Sequence, residues 1–220
     1  MQTFFHLPNT FISLSIAGAS IAVLGALFSA LAYRGKRNER YSPLNHFISE
    51  LGEIGVSRLA WVFNLGLILS GLCLIPACIA LGLILPGFFA KIGMIAGVIT
   101  AAGLSFVGVF PMNNLKSHGT AAITFFRGGL LMVLAFSLGI ALQQPPNLVL
   151  PRMYSLAGLP AILAFGGFLL MMRNTSTEKE EPLQPMEEGR PKIWLMPMVE
   201  WAIFLTIVAW FLLIAIGLSS

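Results

Sequence analysis

The sequence predicts an all-α fold, a polytopic membrane protein built as a bundle of six transmembrane helices. Three observations carry this. Hydrophobic residues make up 57% of the 220-residue chain and charged residues only 10%, against about 25% charged in soluble domains; such a chain cannot coat its own core in water. Six apolar runs, roughly 10–33, 60–85, 88–111, 120–142, 153–172 and 193–218, are each long enough to cross about 30 Å of hydrocarbon at about 1.5 Å per residue. None shows the alternation of barrel strands, and helices are the other structure that satisfies its own backbone in lipid.

The first run ends in "SALA", which looks like a signal-peptidase site. No Lys or Arg precedes the run, however, and a basic cluster, Arg34, Lys36, Arg37 and Arg40, follows it; a retained helix is expected. Pro111 ends the third run, and "QQPPNLVLPR" (143–152) is a proline-rich turn before the fifth. Before the sixth run, residues 173–192 mix both charges with proline and are expected to be a flexible polar loop. No internal repeat is evident, and residues 1–220 form one domain. Cys73 and Cys78 share the second run, about 140° apart on a helix, which gives neither a CxxC pair nor a disulfide.

Charge sets the expected topology. Ten Lys and Arg residues fall in the connections after runs one, three and five, and only Lys91 and Arg152 in the others. Residues 34–59, 112–119 and 173–192 are therefore expected in the cytoplasm of a multi-pass cell-membrane protein, with both termini outside. The net charge of +4 is read as topology and headgroup charge, not nucleic-acid binding.

Polar residues gather at the basic end. "YSPLNHFISELGEIG" (41–55) is expected to form a short amphipathic helix from Asn45, with Leu44, Phe47, Ile48 and Leu51 on its apolar side, and a stop at Gly52 and Gly55. Asn113, Asn114, Lys116, Ser117 and His118 are expected to form the turn before the fourth helix. Arg127 lies nine residues beyond His118, about 13 Å deeper, where an arginine is costly. It is expected to face the bundle and pair with Glu200, about 10 Å in from Ile193 on the sixth helix. The alternative leaves Glu200 at the interface and Arg127 on a lipid phosphate. Tyr41, Ser49, Glu50, Asn64, His118, Arg127 and Glu200 are the candidate pocket, with Arg58, Lys116 and Arg127 as candidate headgroup ligands. A Ser49–His118–Glu50 relay is imaginable, but nothing in the sequence positions it. His46 reads as interfacial.

Several chemistries are excluded. The chain has no aspartate, which removes Asp dyads and the usual Mg²⁺ and Ca²⁺ ligands. Three histidines without paired cysteines match no zinc spacing, and no HExxH, GxSxG or P-loop occurs. No cofactor is expected. Small-residue stripes, Gly18, Ala22, Gly25 and Ser29 in the first helix and Gly93, Gly97 and Ala101 in the third, let helices approach closely in lipid. Bundle packing is the simpler use of them and a homo-oligomer seam the other.

The two polar segments, "YSPLNHFISELGEIG" and "GVFPMNN…SHGTAAITFF", resemble the bacterial and archaeal membrane family called domain of unknown function 998. The resemblance rests on Tyr41, Ser49, Glu50, Leu51 and Gly52, then Gly108, Phe110, Pro111 and His118; it covers the first five helices and is expected to extend to all six. Loop 173–192 and Glu200 depart from the pattern. The family brings no reaction with it. It resembles, more distantly, the eukaryotic Frag/DRAM/Sfk membrane proteins, and that likeness implies handling of membrane lipid or GPI anchors and autophagy-linked roles. Three readings follow: binding or handling membrane lipid through the polar pocket, an assembly partner without chemistry, or a small-solute transporter.

Overall fold

The computed structural model describes residues 2–146, 148–175 and 190–219. All regular structure among them is helical: α1 (Gln2–Ala32), α2 (Ala60–Ile84), α3 (Phe88–Val109), α4 (Leu115–Ala141), α5 (Leu159–Thr175) and α6 (Leu195–Ser219), with 3₁₀ segments at Ile48–Gly52 and Arg152–Gly158. Six spans are long and apolar enough to cross a membrane. The helices follow one another around the bundle, and α6 returns to pack on α1.

Differences from the sequence reading lie at the ends of elements. α1 starts at Gln2, ahead of the expected residue 10, and carries Pro8 within it. The fifth span opens with the 3₁₀ segment, so its α-helix starts at Leu159. His118 is not in a turn but in the first turn of α4. Asn114 caps that helix, its side chain accepting from the Ser117 N–H at 3.3 Å; an N-cap asparagine satisfies one of the orphan donors there. Of the polar loop, Arg173 to Thr175 continue α5 and Arg190 to Lys192 are in place ahead of α6; residues 176–189 lie outside the described residues.

The small residues explain the tight packing of α1 to α4. Gly25 and Gly66 bring the backbones of α1 and α2 together: a Cβ on Gly25 would lie 3.5 Å from the Gly66 Cα. A Cβ on Gly97 would press on Cys78 and Met132, and one on Gly103 would sit 3.0 Å from the Phe125 nitrogen. Both stripes are thus used inside the chain, where only small residues permit this contact. Cys73 and Cys78 are free thiols. At the end opposite the basic connections, Gln143 organises the proline-rich turn. Its oxygen accepts from Val149 N–H at 2.7 Å, its amide donates to Ile140 O at 3.0 Å, and Arg152 donates to its carbonyl at 2.7 Å. Buried backbone groups there find side-chain partners, as a dry environment requires.

Candidate functional site

The connections after α1, α3 and α5 meet at one end of the bundle. Segment 41–55 does not form an amphipathic helix. It runs through a turn into the 3₁₀ segment, whose five residues are all buried, while Leu44 is 48% exposed. Burial of this segment on all sides requires each backbone N–H to find a partner, and two carboxylates supply them. Glu50 turns back on its own segment and accepts from the Phe47 N–H at 2.8 Å. Glu200, from α6, accepts from the Ile48 N–H at 2.7 Å and also from the Ser49 N–H and hydroxyl. Asn64, on α2, donates to the Gly52 carbonyl at 3.0 Å. Any side chain at Gly52 would run into the Asn64 amide, so that close approach needs glycine. Within this segment, Gly55 has positive φ, at 87°.

Arg190 completes the cluster. Its two terminal nitrogens bind the two oxygens of Glu50, at 3.0 and 2.9 Å, and the first also donates to the Asn45 carbonyl at 2.7 Å. Such a two-pronged pair satisfies charge and geometry together. Burial works against the Arg190 charge, yet the hydrogen bonds and charge of Glu50 win and hold the guanidinium above its ordinary range. Asn45 donates to Pro191 O at 3.0 Å, and the Trp194 N–H donates to Leu44 O at 2.8 Å. Residues 190–194 are thereby strapped across residues 44–50.

Aromatic rings fill the remaining space. Tyr41 receives the Trp201 indole N–H at 2.7 Å and donates to the Phe47 carbonyl at 3.0 Å. Burial first, then nearby glutamates, raises the phenols of Tyr33 and Tyr41 above their usual range. His46 is 3% exposed, not interfacial, with its ring against Tyr33 and Tyr41. The amide of Asn45 is spent on Pro191, so its oxygen accepts from His46 Nδ1 at 2.8 Å. Nε2 then keeps its lone pair, and nothing among the described residues reaches it. Burial lowers the pKa of this imidazole.

The structure therefore brings together Tyr41, Ser49, Glu50, Asn64 and Glu200 of the expected pocket, as a closed, packed cluster. His118 is buried nearby in sequence terms but has another partner, the Phe110 carbonyl, 2.8 Å from its Nδ1; it ties the start of α4 to the end of α3. The Ser49–His118–Glu50 relay does not form, because Ser49 is held by Glu200 and Glu50 by Arg190. The Arg127–Glu200 pair does not form either. Arg127 is exposed on the outside of α4, with no hydrogen bond or ion pair to any described residue, while Glu200 is 6% exposed and turned to the 3₁₀ segment. Equal depth does not imply facing sides, since depth fixes the rise along each helix but not its rotation. Arg58 and Lys116 are exposed at the same end of the bundle. Arg190 and Trp201, central to the cluster, were not singled out from sequence; a lone arginine after an acidic loop and a tryptophan in an apolar helix carry no local pattern.

The chain matches the model of a family described as protein of unknown function, DUF998, over residues 16–217. It belongs to the DUF998 family. The match runs through 173–192 and Glu200, so both features lie inside the family region. No curated protein and no solved structure gives a match. The described residues include no group of three or more His, Cys, Asp or Glu side chains that could hold a metal ion.

Proposed function

We propose that this DUF998 protein lies in the cell membrane with its basic end in the cytoplasm and both termini outside, and that it binds anionic membrane lipid on its outer surface at that end. The observation that carries this reading is Arg127. It sits near the middle of a 27-residue span, exposed and without a described partner, where a bare charge costs several kcal/mol. A helical side chain leans toward the helix N-terminus, which for α4 is the basic end, so the guanidinium extends toward the headgroups while its stem stays in hydrocarbon. A lipid phosphate is the partner available in that direction. The sealed cluster argues against a headgroup held inside the bundle, because Glu50 and Glu200 already have their partners. The topology rests on the ten-to-two distribution of Lys and Arg.

The test is mass spectrometry of lipid retained by the full chain after purification in mild detergent. The wild type retains anionic lipid above its share of the host membrane, and Arg127→Gln loses that enrichment. Retention that matches the bulk membrane, or that persists in Arg127→Gln, overturns the reading; a copurifying protein in place of lipid would favour an assembly role.

A further inference from the structure

Near the start of α4, its outer surface meets α3 in a groove of about 360 Å³. Its walls include Phe106 from α3, Phe110 just past the end of that helix, and Lys116, Ser117, Thr120 and Thr124 from α4. Lys116, Thr120 and Arg127 follow one stripe of α4, at spacings of four and seven residues. Lys116 and Arg127 are about 16 Å apart along the axis. Lys116 lies at the headgroup end, while Arg127 leans back toward it from below. Lys116 thus lines the groove, Arg127 lies further along the same stripe outside its walls, and aromatic surface runs along one side.

The hydroxyls between the cations are also oriented. Thr120 donates to the Lys116 carbonyl at 2.9 Å and Thr124 to the Thr120 carbonyl at 2.8 Å. With their protons spent on the helix, their oxygens present lone pairs outward. No described wall residue is a carboxylate. Among the described glutamates, Glu39 accepts from the Arg37 N–H at 2.8 Å, Glu50 is bound by Arg190, Glu200 by the 3₁₀ segment, and Glu53 lies 3.8 Å from Lys36. A zwitterionic headgroup would bring an ammonium into a site with two cations and no anion to receive it.

We infer that the α3–α4 groove is a binding site for a net-anionic phospholipid whose headgroup carries hydroxyls and no ammonium, with the phosphate held between Lys116 and Arg127. Lys116 and Ser117 meet the phosphate from the headgroup side. Arg127 meets it, or the glycerol ester oxygens below it, from the hydrocarbon side. The threonine oxygens accept from headgroup hydroxyls, and an acyl chain runs along Phe106. Charge complementarity selects this occupant: one cation in the groove wall, a second further along the same stripe of α4, and no acid among the described walls.

This inference rests on the lipid-binding reading above, and one experiment separates the two. The full chain is placed in micelles doped with equal phosphatidylglycerol and phosphatidylethanolamine, and bound lipid is counted by native mass spectrometry. The wild type prefers phosphatidylglycerol by about tenfold, the worth of one charge-assisted contact. Lys116→Gln, Arg127→Gln and the groove-filling Thr120→Trp each remove most of that preference. Arg40→Gln, exposed at the same end but outside the groove, keeps it. These sites are on the surface, so the variants stay folded. If Arg127→Gln loses lipid while Lys116→Gln and Thr120→Trp keep it, the groove is wrong and the broader reading stands. Equal binding of the two lipids by the wild type overturns the headgroup class, and loss in Arg40→Gln equal to that in Lys116→Gln overturns the site in favour of diffuse attraction. Undiminished preference in all four variants overturns both readings.

Discussion

Glu50 and Glu200 are buried, and the chain supplies their partners: Arg190, three backbone N–H groups and the Ser49 hydroxyl. Arg127 is exposed in the middle of α4, with no partner among the described residues. Both arrangements put costly groups into or beside a membrane, but the cost is met in different places. In the cluster it is met at folding, by hydrogen bonds that also fasten segment 41–55 and the start of α6 to the bundle. On α4 it is left for the surroundings to meet. The first arrangement makes structure, and the second leaves an unfilled interaction on the outside, which is where binding is expected. A buried ionisable residue in a membrane protein is therefore not by itself a sign of function; its unused valence is.

This contrast can be broken from either side. The largest effect is expected for Glu200→Ala, which strands the N–H groups of Ile48 and Ser49 in a dry site. Unsatisfied buried donors cost about 1–3 kcal/mol each, so a loss of about 4 kcal/mol is expected, read as a lower unfolding temperature in detergent. Glu200→Gln, which retains an acceptor, loses less. Stability unchanged in Glu200→Ala would mean that the cluster does not hold the fold together. Next comes Arg190→Ala, which leaves the Glu50 carboxylate buried without its cation, at a cost of about 3 kcal/mol. Glu50→Gln combined with Arg190→Gln should cost less than the sum of the single changes, since the pair fails as a unit; strict additivity would show the two side chains to be independent.

A smaller effect is expected from pH. His46 is held below its ordinary pKa by burial. Above about pH 6.5 the imidazole is neutral in both folded and unfolded chains, and its burial costs no proton. As pH falls below that value, the unfolded chain takes up a proton that the folded one refuses, so stability drops until the folded pKa is reached. The slope is at most about 1.4 kcal/mol per pH unit. Measured down to about pH 5, the unfolding temperature of the wild type should fall more, relative to its value at about pH 7, than that of His46→Gln. The smallest effect on stability belongs to the other region. Arg127→Gln and Lys116→Gln should shift unfolding by no more than about 0.5 kcal/mol, as exposed substitutions do, even as they alter lipid retention. A large loss in either would give the α4 stripe a structural role and remove the contrast.

Much of the architecture was legible in the residues themselves. Composition and the length of the apolar runs determine six helices, because lipid leaves an uninterrupted apolar segment no other way to satisfy its backbone. Spacing of small residues announced close helix contact, and Gly25 and Gly97 provide it. The polar segments at 41–55 and 111–118 stood out against their apolar surroundings, and Tyr41, Ser49, Glu50, Asn64 and Glu200 do converge. Which groups meet was decided only in three dimensions. Sequence gives the depth of Arg127 and Glu200 but not the rotation of α4 and α6 about their axes, so it paired two charges that face apart. It could not show that Arg190, 140 residues away in sequence, returns to Glu50, nor that residues 48–52 would be buried on every side in place of lying amphipathically at the interface. Local pattern determines which elements form and how far each reaches into the membrane. Packing of whole helices determines which face each side chain presents, and so which charges are consumed by the fold and which remain to bind something else.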